Sequence, residues 1–179
     1  MQLKDGDLLL MDVAAEYANY SSDLTRTIPV NGKYTARQKE VYNAVLNCKK
    51  QAEELLVSGN NWAKFHKEMG DIYTSELLNL GLIDKADVQN EDPKWPAYKK
   101  YMMHGTSHHM GLDTHDYGIL TDDFSENMVF TNEPGFYIPA EGFGIRIEDD
   151  YVIQKSGAPI NMMKNIPIEV EEIEELMNN

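Results

Sequence analysis

Apolar patterning along the chain changes twice, from a strand pair to a helix pair and then to a group of strands, and this order predicts one α+β domain with mainly antiparallel strands. Three observations carry the prediction. Residues Asp7 to Pro29 hold extended apolar runs around a polar turn, and the stretch from Thr35 to Gly81 repeats its apolar residues at helical spacing. From Tyr101 onward, short extended runs are interrupted by proline and glycine. The 179 residues suffice for one domain with a real core and are few for two, so residues 1–179 are read as a single domain.

In the first segment, Leu8, Leu9, Leu10, Met11 and Val13 are apolar at successive positions, as in a strand covered on both faces. Asn19 and its polar neighbours supply the turn to a second strand. The first helix begins at Thr35, because Thr35-Ala36-Arg37-Gln38 has capping-box spacing. Val41, Tyr42, Val45, Leu46, Ala52 and Leu56 form its apolar stripe, and Gly59 suits the stop. A second helix is predicted from about Trp62 to Leu80, ended by Gly81, followed by a polar connection from Asp84 to Pro96. Later strands are expected at Met128 to Phe130, Phe136 to Ile138 and Phe143 to Gln154, with a closing helix near Val170 to Met177.

Composition excludes several classes of function. Hydrophobic residues make up 42%, which suits a globular chain rather than a disordered one. The net charge of −14 argues against a nucleic-acid partner, since phosphate contacts need basic patches. Much of that charge, in the tail IEVEEIEELMNN and in pairs such as Glu53-Glu54, reads as solvated surface. No apolar run approaches the roughly 20 residues of a membrane span, and MQLKDGD lacks the apolar stretch of a secretory signal. The single cysteine, Cys48, leaves no internal disulfide and fits a cytoplasmic location.

The chemistry lies in acids placed in or beside apolar strands, where an isolated carboxylate is expensive to ionise. With a turn centred near residues 17 and 18, Asp12 and Asp23 fall almost opposite each other, an arrangement that is repulsive unless a cation lies between them. His104, His108, His109 and His115 cluster within twelve residues, with Gly105 and Gly111 allowing tight backbone paths and Met102, Met103, Met110 and Leu112 packing around them. His66, on the second helix, reads as a surface residue. Glu133 stands before Pro134 and Gly135, which interrupt the strand ladder and let the acid aim inward. Period-two alternation places Arg146 and Glu148 on one face, continued by Asp150, while Asp149 points the other way. The four acids Asp12, Asp23, Glu133 and Glu148 together with His108 would suit two divalent ions, with Mn²⁺ the best match and Co²⁺, Fe²⁺ or Zn²⁺ also fitting.

The blocks MDVAAEYANYSSDLTRTIPVNGKYT, HGTSHHMGLDTHD and NEPGFYIPAEGFGIRIEDD, in this order and spacing, resemble the pita-bread metallopeptidases, and within them the Xaa-Pro aminopeptidases, with proline dipeptidases next. The resemblance implies a pita-bread fold, a curved, mostly antiparallel sheet with helices on its outer face. It implies that Asp12 binds one metal, that Asp23 and Glu148 bridge both, and that His108 and Glu133 complete the other metal's shell. Glu133 would also handle the proton of a metal-bridging hydroxide that attacks the scissile carbonyl. His104 and His115 would hold substrate and stabilise the tetrahedral intermediate, and Arg146 would orient the Glu148 carboxylate. Arg146 is what favours the proline-specific branch, whose substrate is a peptide with proline at the second position.

Three departures stand out. His109 occupies a position where a bulky aromatic is common, and Asn132 one where an aliphatic residue is usual. In the family, an N-terminal domain and the first part of the catalytic domain precede the segment matched here. The chain is therefore expected to be the C-terminal portion of a catalytic domain, and to form a homo-oligomer that shields its open strand edge. Besides the aminopeptidase, a proline dipeptidase and a non-catalytic module that binds peptide or protein remain as alternatives.

Overall fold

A computed structural model describes residues 2–179. Strand β1 (Leu8–Val13) pairs antiparallel with β4 (Leu24–Pro29), and the hairpin between them continues through β2 (Glu16–Tyr17) and β3 (Tyr20–Ser21). The turn residues are Ala18 and Asn19, both at positive φ (50° and 65°), as a two-residue hairpin loop of this twist requires. That centre lies one residue beyond the expected one. Asp12 consequently faces Thr25 rather than Asp23, which becomes its diagonal neighbour just outside β4. A slip of two in partner preserves the face, so both acids still point to one side of the hairpin. Leu8 to Met11 are only half-buried, against the expectation of cover on both faces, and no described strand pairs the outer edge of β1.

Helix α1 (Ala36–Leu55) starts at the predicted Thr35–Gln38 capping box, and every residue of its predicted stripe is buried. Helix α2 (Trp62–Asn79) is capped by Asn61. It ends in Gly81 at φ +68°, where the Leu82 amide reaches back to Leu77 O at 2.9 Å. The expected open connection instead holds a short helix, α3 (Lys85–Gln89), started by a second capping box between Asp84 and Asp87.

Strands β5 (Val129–Asn132) and β6 (Gly135–Ile138) appear where expected. The single strand expected from Phe143 to Gln154 is instead two, β7 (Phe143–Arg146) and β8 (Asp149–Val152), with Ile147 and Glu148 between them. β7 pairs with β6, and β8 lies between β5 and β9 (Ile160–Asn161). An isolated bridge from Thr25 to Glu148 joins the β1–β4 hairpin to these strands. Helix α4 (Val170–Asn178) closes the chain and packs on α1. Core residues of α1 and α2, including Tyr42, Phe65 and Met69, lie against Phe130, Phe136, Ile145 and Tyr151 of the strands. Every pairing between named strands is antiparallel, and α1 contacts β5, β6 and β7. No described helix is long and apolar enough to cross a membrane.

Candidate metal centre

Asp23, His108 and Glu148 each offer a ligand atom within 4.8 Å of the others, and Asp23 and Glu148 are buried. The three arrive from separate elements. Asp23 precedes β4, with its amide donating to Asp150 Oδ2 at 3.0 Å. Glu148 sits in the break between β7 and β8, its carboxylate accepting from Thr25 Oγ1 at 2.6 Å. The His108 segment runs beside β5, with the Thr131 amide donating to His108 O at 3.1 Å. His108 Nδ1 lies 2.9 Å from His109 O. A carbonyl can only accept, so Nδ1 carries the proton and Nε2 faces the acids, 3.6 Å from both Asp23 Oδ2 and Glu133 Oε1.

Glu133 is thus the fourth acid-or-imidazole ligand candidate at the centre, while Asp12 stands apart. Asp12 has a half-exposed side chain that pairs with Arg146 Nη2. Arg146 also donates from Nε to Thr25 Oγ1 at 3.1 Å and from Nη1 to Tyr137 OH at 2.9 Å. Tyr137 OH lies 2.7 Å from His104 Nε2. His104 Nδ1 is 2.7 Å from Gly105 O and must donate there, so neutral His104 accepts from Tyr137. His115 is exposed and packs edge-on against His108, with ring centroids 4.4 Å apart.

The remaining sequence expectations divide. Asp149 does point away from Asp150, into ion pairs with Arg26 and Lys49. Met102 and Met110 are buried as packing residues, but Met103 and Leu112 are exposed at 45% and 70%. His109 turns away from the acids and packs on Trp62 and Phe130, beside a cavity of about 270 Å³. His66 is exposed, as expected, and stacks on Trp62. Asn132 ties β5 to α1 by donating to Lys49 O at 2.9 Å. Thr25 and Tyr137 join the site without being among the expected residues. Thr25 carried a faint signal, since it shares the period-two face of Asp23; Tyr137 carried none.

The sequence profile of metallopeptidase family M24 matches residues 1–155. The chain belongs to this family. An M24 relative, the Xaa-Pro aminopeptidase of Haemophilus influenzae, is 41% identical over 188 residues, covering 98% of this chain and 43% of its own length. The Escherichia coli Xaa-Pro aminopeptidase is 40% identical, with 98% and 42% covered. A solved structure described as Zn-substituted E. coli aminopeptidase P in complex with product superposes with a TM-score of 0.88 at 36% identity, covering 99% of this chain and 42% of that one. The fold is therefore the pita-bread arrangement expected, and the chain spans about two fifths of the length of these relatives.

The donor set of this M24 chain fits divalent metal. Burial, reinforced by neighbouring carboxylates, pushes Glu133 up to about 7 and Glu148 up to about 8. Asp150, beside Asp23, is raised to about 7 by the same causes, and its buried Oδ1 has no partner among the described residues. For His108, burial works against the charged form, but Asp23, the His109 carbonyl and Glu133 outweigh it and raise the pKa. Crowded acids that resist ionisation around an imidazole nitrogen form a site in which a cation relieves repulsion.

A pH dependence follows. These carboxyls have folded pKa values above their unfolded ones, so the native chain holds protons that the unfolded chain releases at about pH 4–5. Their stabilising contribution is complete below that range and is lost as pH rises through about 7 to 8. The metal-free chain is expected to melt at lower temperature at pH 8 than at pH 5, and Mn²⁺ to reverse the loss at pH 8 by replacing the protons. Thermal unfolding at both pH values, with and without Mn²⁺, checks this; a metal-free Tm that does not fall would contradict the buried carboxylate cluster.

Proposed function

We propose that the chain carries the catalytic centre of a metal-dependent aminopeptidase that releases the residue preceding proline at the second position of a peptide. The observation that supports this best is the convergence of Asp23, His108 and Glu148, with Glu133 alongside. The relatives named Xaa-Pro aminopeptidase supply the substrate class.

In this reading Asp23, His108, Glu133 and Glu148 would hold divalent metal, with Mn²⁺ the native ion, and Asp12 would join them by exchanging its Arg146 pairing for a second ion. Two divalent ions would there activate water and polarise the scissile carbonyl. The chain's own groups do the rest. Glu133, 3.6 Å from His108 Nε2, would take a proton from the attacking water and return it to the leaving amine. His104, fixed by Gly105 O and Tyr137, and His115, exposed beside His108, flank the place of the substrate. Arg146 draws Asp12, Tyr137 and Thr25 together and so carries the orientation of Glu148. The free, buried Cys48 fits a reducing, cytoplasmic setting.

One fact favours a second reading. A chain that spans about two fifths of its relatives' length could bind peptide beside the same acids without cleaving it. Metal content and turnover, measured together, separate the two. With added Mn²⁺ the chain is expected to bind two ions and release the free first residue from an Xaa-Pro-Yaa tripeptide. Peptide and metal bound without release would leave the binding module. Cleavage confined to Xaa-Pro dipeptides would instead identify a proline dipeptidase.

A further inference from the structure

We propose that Arg26 is a positioning residue for the Glu148 carboxylate, acting through the backbone from the face of the sheet opposite the acids. The inference rests on the metal-centre reading above. Glu148 lies where β7 has ended and β8 has not begun, so regular pairing does not fix its peptide groups. Its amide donates to Thr25 O at 3.0 Å. Its carbonyl accepts from Arg26 Nη1 at 2.8 Å.

The same Nη1 donates to Thr25 O at 3.0 Å. Arg26 thus grips the backbones of the two residues whose side chains meet on the other face, Thr25 Oγ1 with Glu148 Oε2 at 2.6 Å. The rest of the guanidinium is anchored too, Nη2 on Asp149 Oδ1 at 2.7 Å and Nε on Pro167 O at 2.9 Å. The side chain is buried and its planar fork fills four contacts at fixed angles. A lysine ammonium keeps the charge for Asp149 but cannot reproduce the fork. Glu148 then loses the side-chain donor at its carbonyl and keeps only its bridge to Thr25.

A purely structural role predicts that any loosening of this cluster acts alike, whereas a positioning role singles out Arg26. Asn161 is the comparison, since its Nδ2 donates to Asp149 Oδ2 at 2.8 Å and does not touch Glu148. Mn²⁺ affinity of the full chain is measured by titration calorimetry, with Glu148→Gln marking which binding belongs to the site, and metal-free Tm is recorded for each variant. Arg26→Lys is expected to weaken Mn²⁺ binding about 10- to 100-fold, in the range of other groups that orient metal ligands. It is also expected to shift the visible absorption of the Co²⁺-loaded protein. Asn161→Ala is expected to lower Tm while leaving Mn²⁺ affinity within about twofold and the Co²⁺ spectrum unchanged.

Arg26→Lys with parental affinity would overturn the proposal, as would an equal loss of affinity in Asn161→Ala. If Arg26→Lys does not fold, Arg26→Gln, which leaves Asp149 paired with Lys49 at 2.7 Å, carries the same expectation and the same refutation. A parent chain without any Mn²⁺ binding sensitive to Glu148→Gln would overturn the metal-centre reading itself, and this role with it. That arm involves no change at Arg26, so the two failures are distinct.

Discussion

Replacing Glu133 with glutamine is expected to reduce Xaa-Pro hydrolysis about 10²- to 10⁴-fold, the usual worth of a positioned general base, while raising the Tm of the metal-free chain at pH 8. The two effects have one cause. Glu133 lies with its Oε1 3.6 Å from His108 Nε2 and its Oε2 3.6 Å from His104 Nδ1, and burial holds its pKa at about 7. In the metal-free chain that burial makes the charged form unfavourable beside Asp23 and Glu148, and in the metal-loaded chain the same carboxylate is placed to accept a proton from water. Glutamine keeps the shape, still offers an oxygen toward a cation, and loses both the proton exchange and the repulsion. Turnover numbers at saturating Mn²⁺, read beside thermal unfolding in chelator, check the pair. Turnover within about tenfold of the parent would remove Glu133 from proton handling, and an unchanged or lower metal-free Tm would show that the acid is not held under repulsion.

What could be read in advance from sequence was local, or locally periodic. The Thr35–Gln38 box and the stripe from Val41 to Leu56 involve neighbours three or four residues apart, and both are found as expected. The α3 box between Asp84 and Asp87 is equally local, but no apolar stripe follows it to mark a helix. The hairpin register was misplaced because Ala18, unlike glycine or asparagine, gives no sign that it will adopt positive φ. The unbroken strand through Glu148 failed for a different reason. Alternation continues past Ile147, but the ladder does not, and the group that completes the Glu148 carbonyl is a side chain 122 residues away. Tyr137 shows the same limit: its hydroxyl matters because it meets both His104 and Arg146, a meeting that only the fold creates. Asp150 was correctly placed on the face of Glu148, yet its contact with the Asp23 amide could not be read from that face.

The site is therefore supported from both faces of the strands that meet at the Thr25–Glu148 bridge. Toward the acids, Thr25, Arg146 and Tyr137 pass hydrogen bonds from Glu148 to His104. Away from them, Arg26 and Lys49 converge on Asp149, the residue following Glu148. Neighbouring acids in the sequence thus do opposite work, Glu148 and Asp150 beside the candidate centre and Asp149 beneath it.

Removing the charge of Asp149 should be the most destabilising single change outside the apolar core. Asp149→Asn is expected to lower stability by about 3–5 kcal/mol, or about 10 °C in Tm for a chain of this size. Asp149 is 1% exposed and meets Arg26 Nη2 and Lys49 Nζ, each at 2.7 Å. Without it, two cations are left buried near each other. Burial already lowers the pKa of Lys49, and Asp149 is the main influence opposing that fall, so the lysine would then shed its proton more readily. Adding Lys49→Met to Asp149→Asn should recover part of the loss, because it removes an uncompensated charge. The control is Asp71→Asn, which breaks a pair of the same chemistry, Lys67 Nζ to Asp71 Oδ2 at 3.2 Å, between side chains that are 77% and 75% exposed. Screened by water, that pair is worth under about 0.5 kcal/mol. Thermal unfolding of the three variants decides between burial and pairing as the source of the stabilisation. Similar losses at Asp149 and Asp71, or no recovery in the double variant, would mean that the buried cluster is not held by its charges.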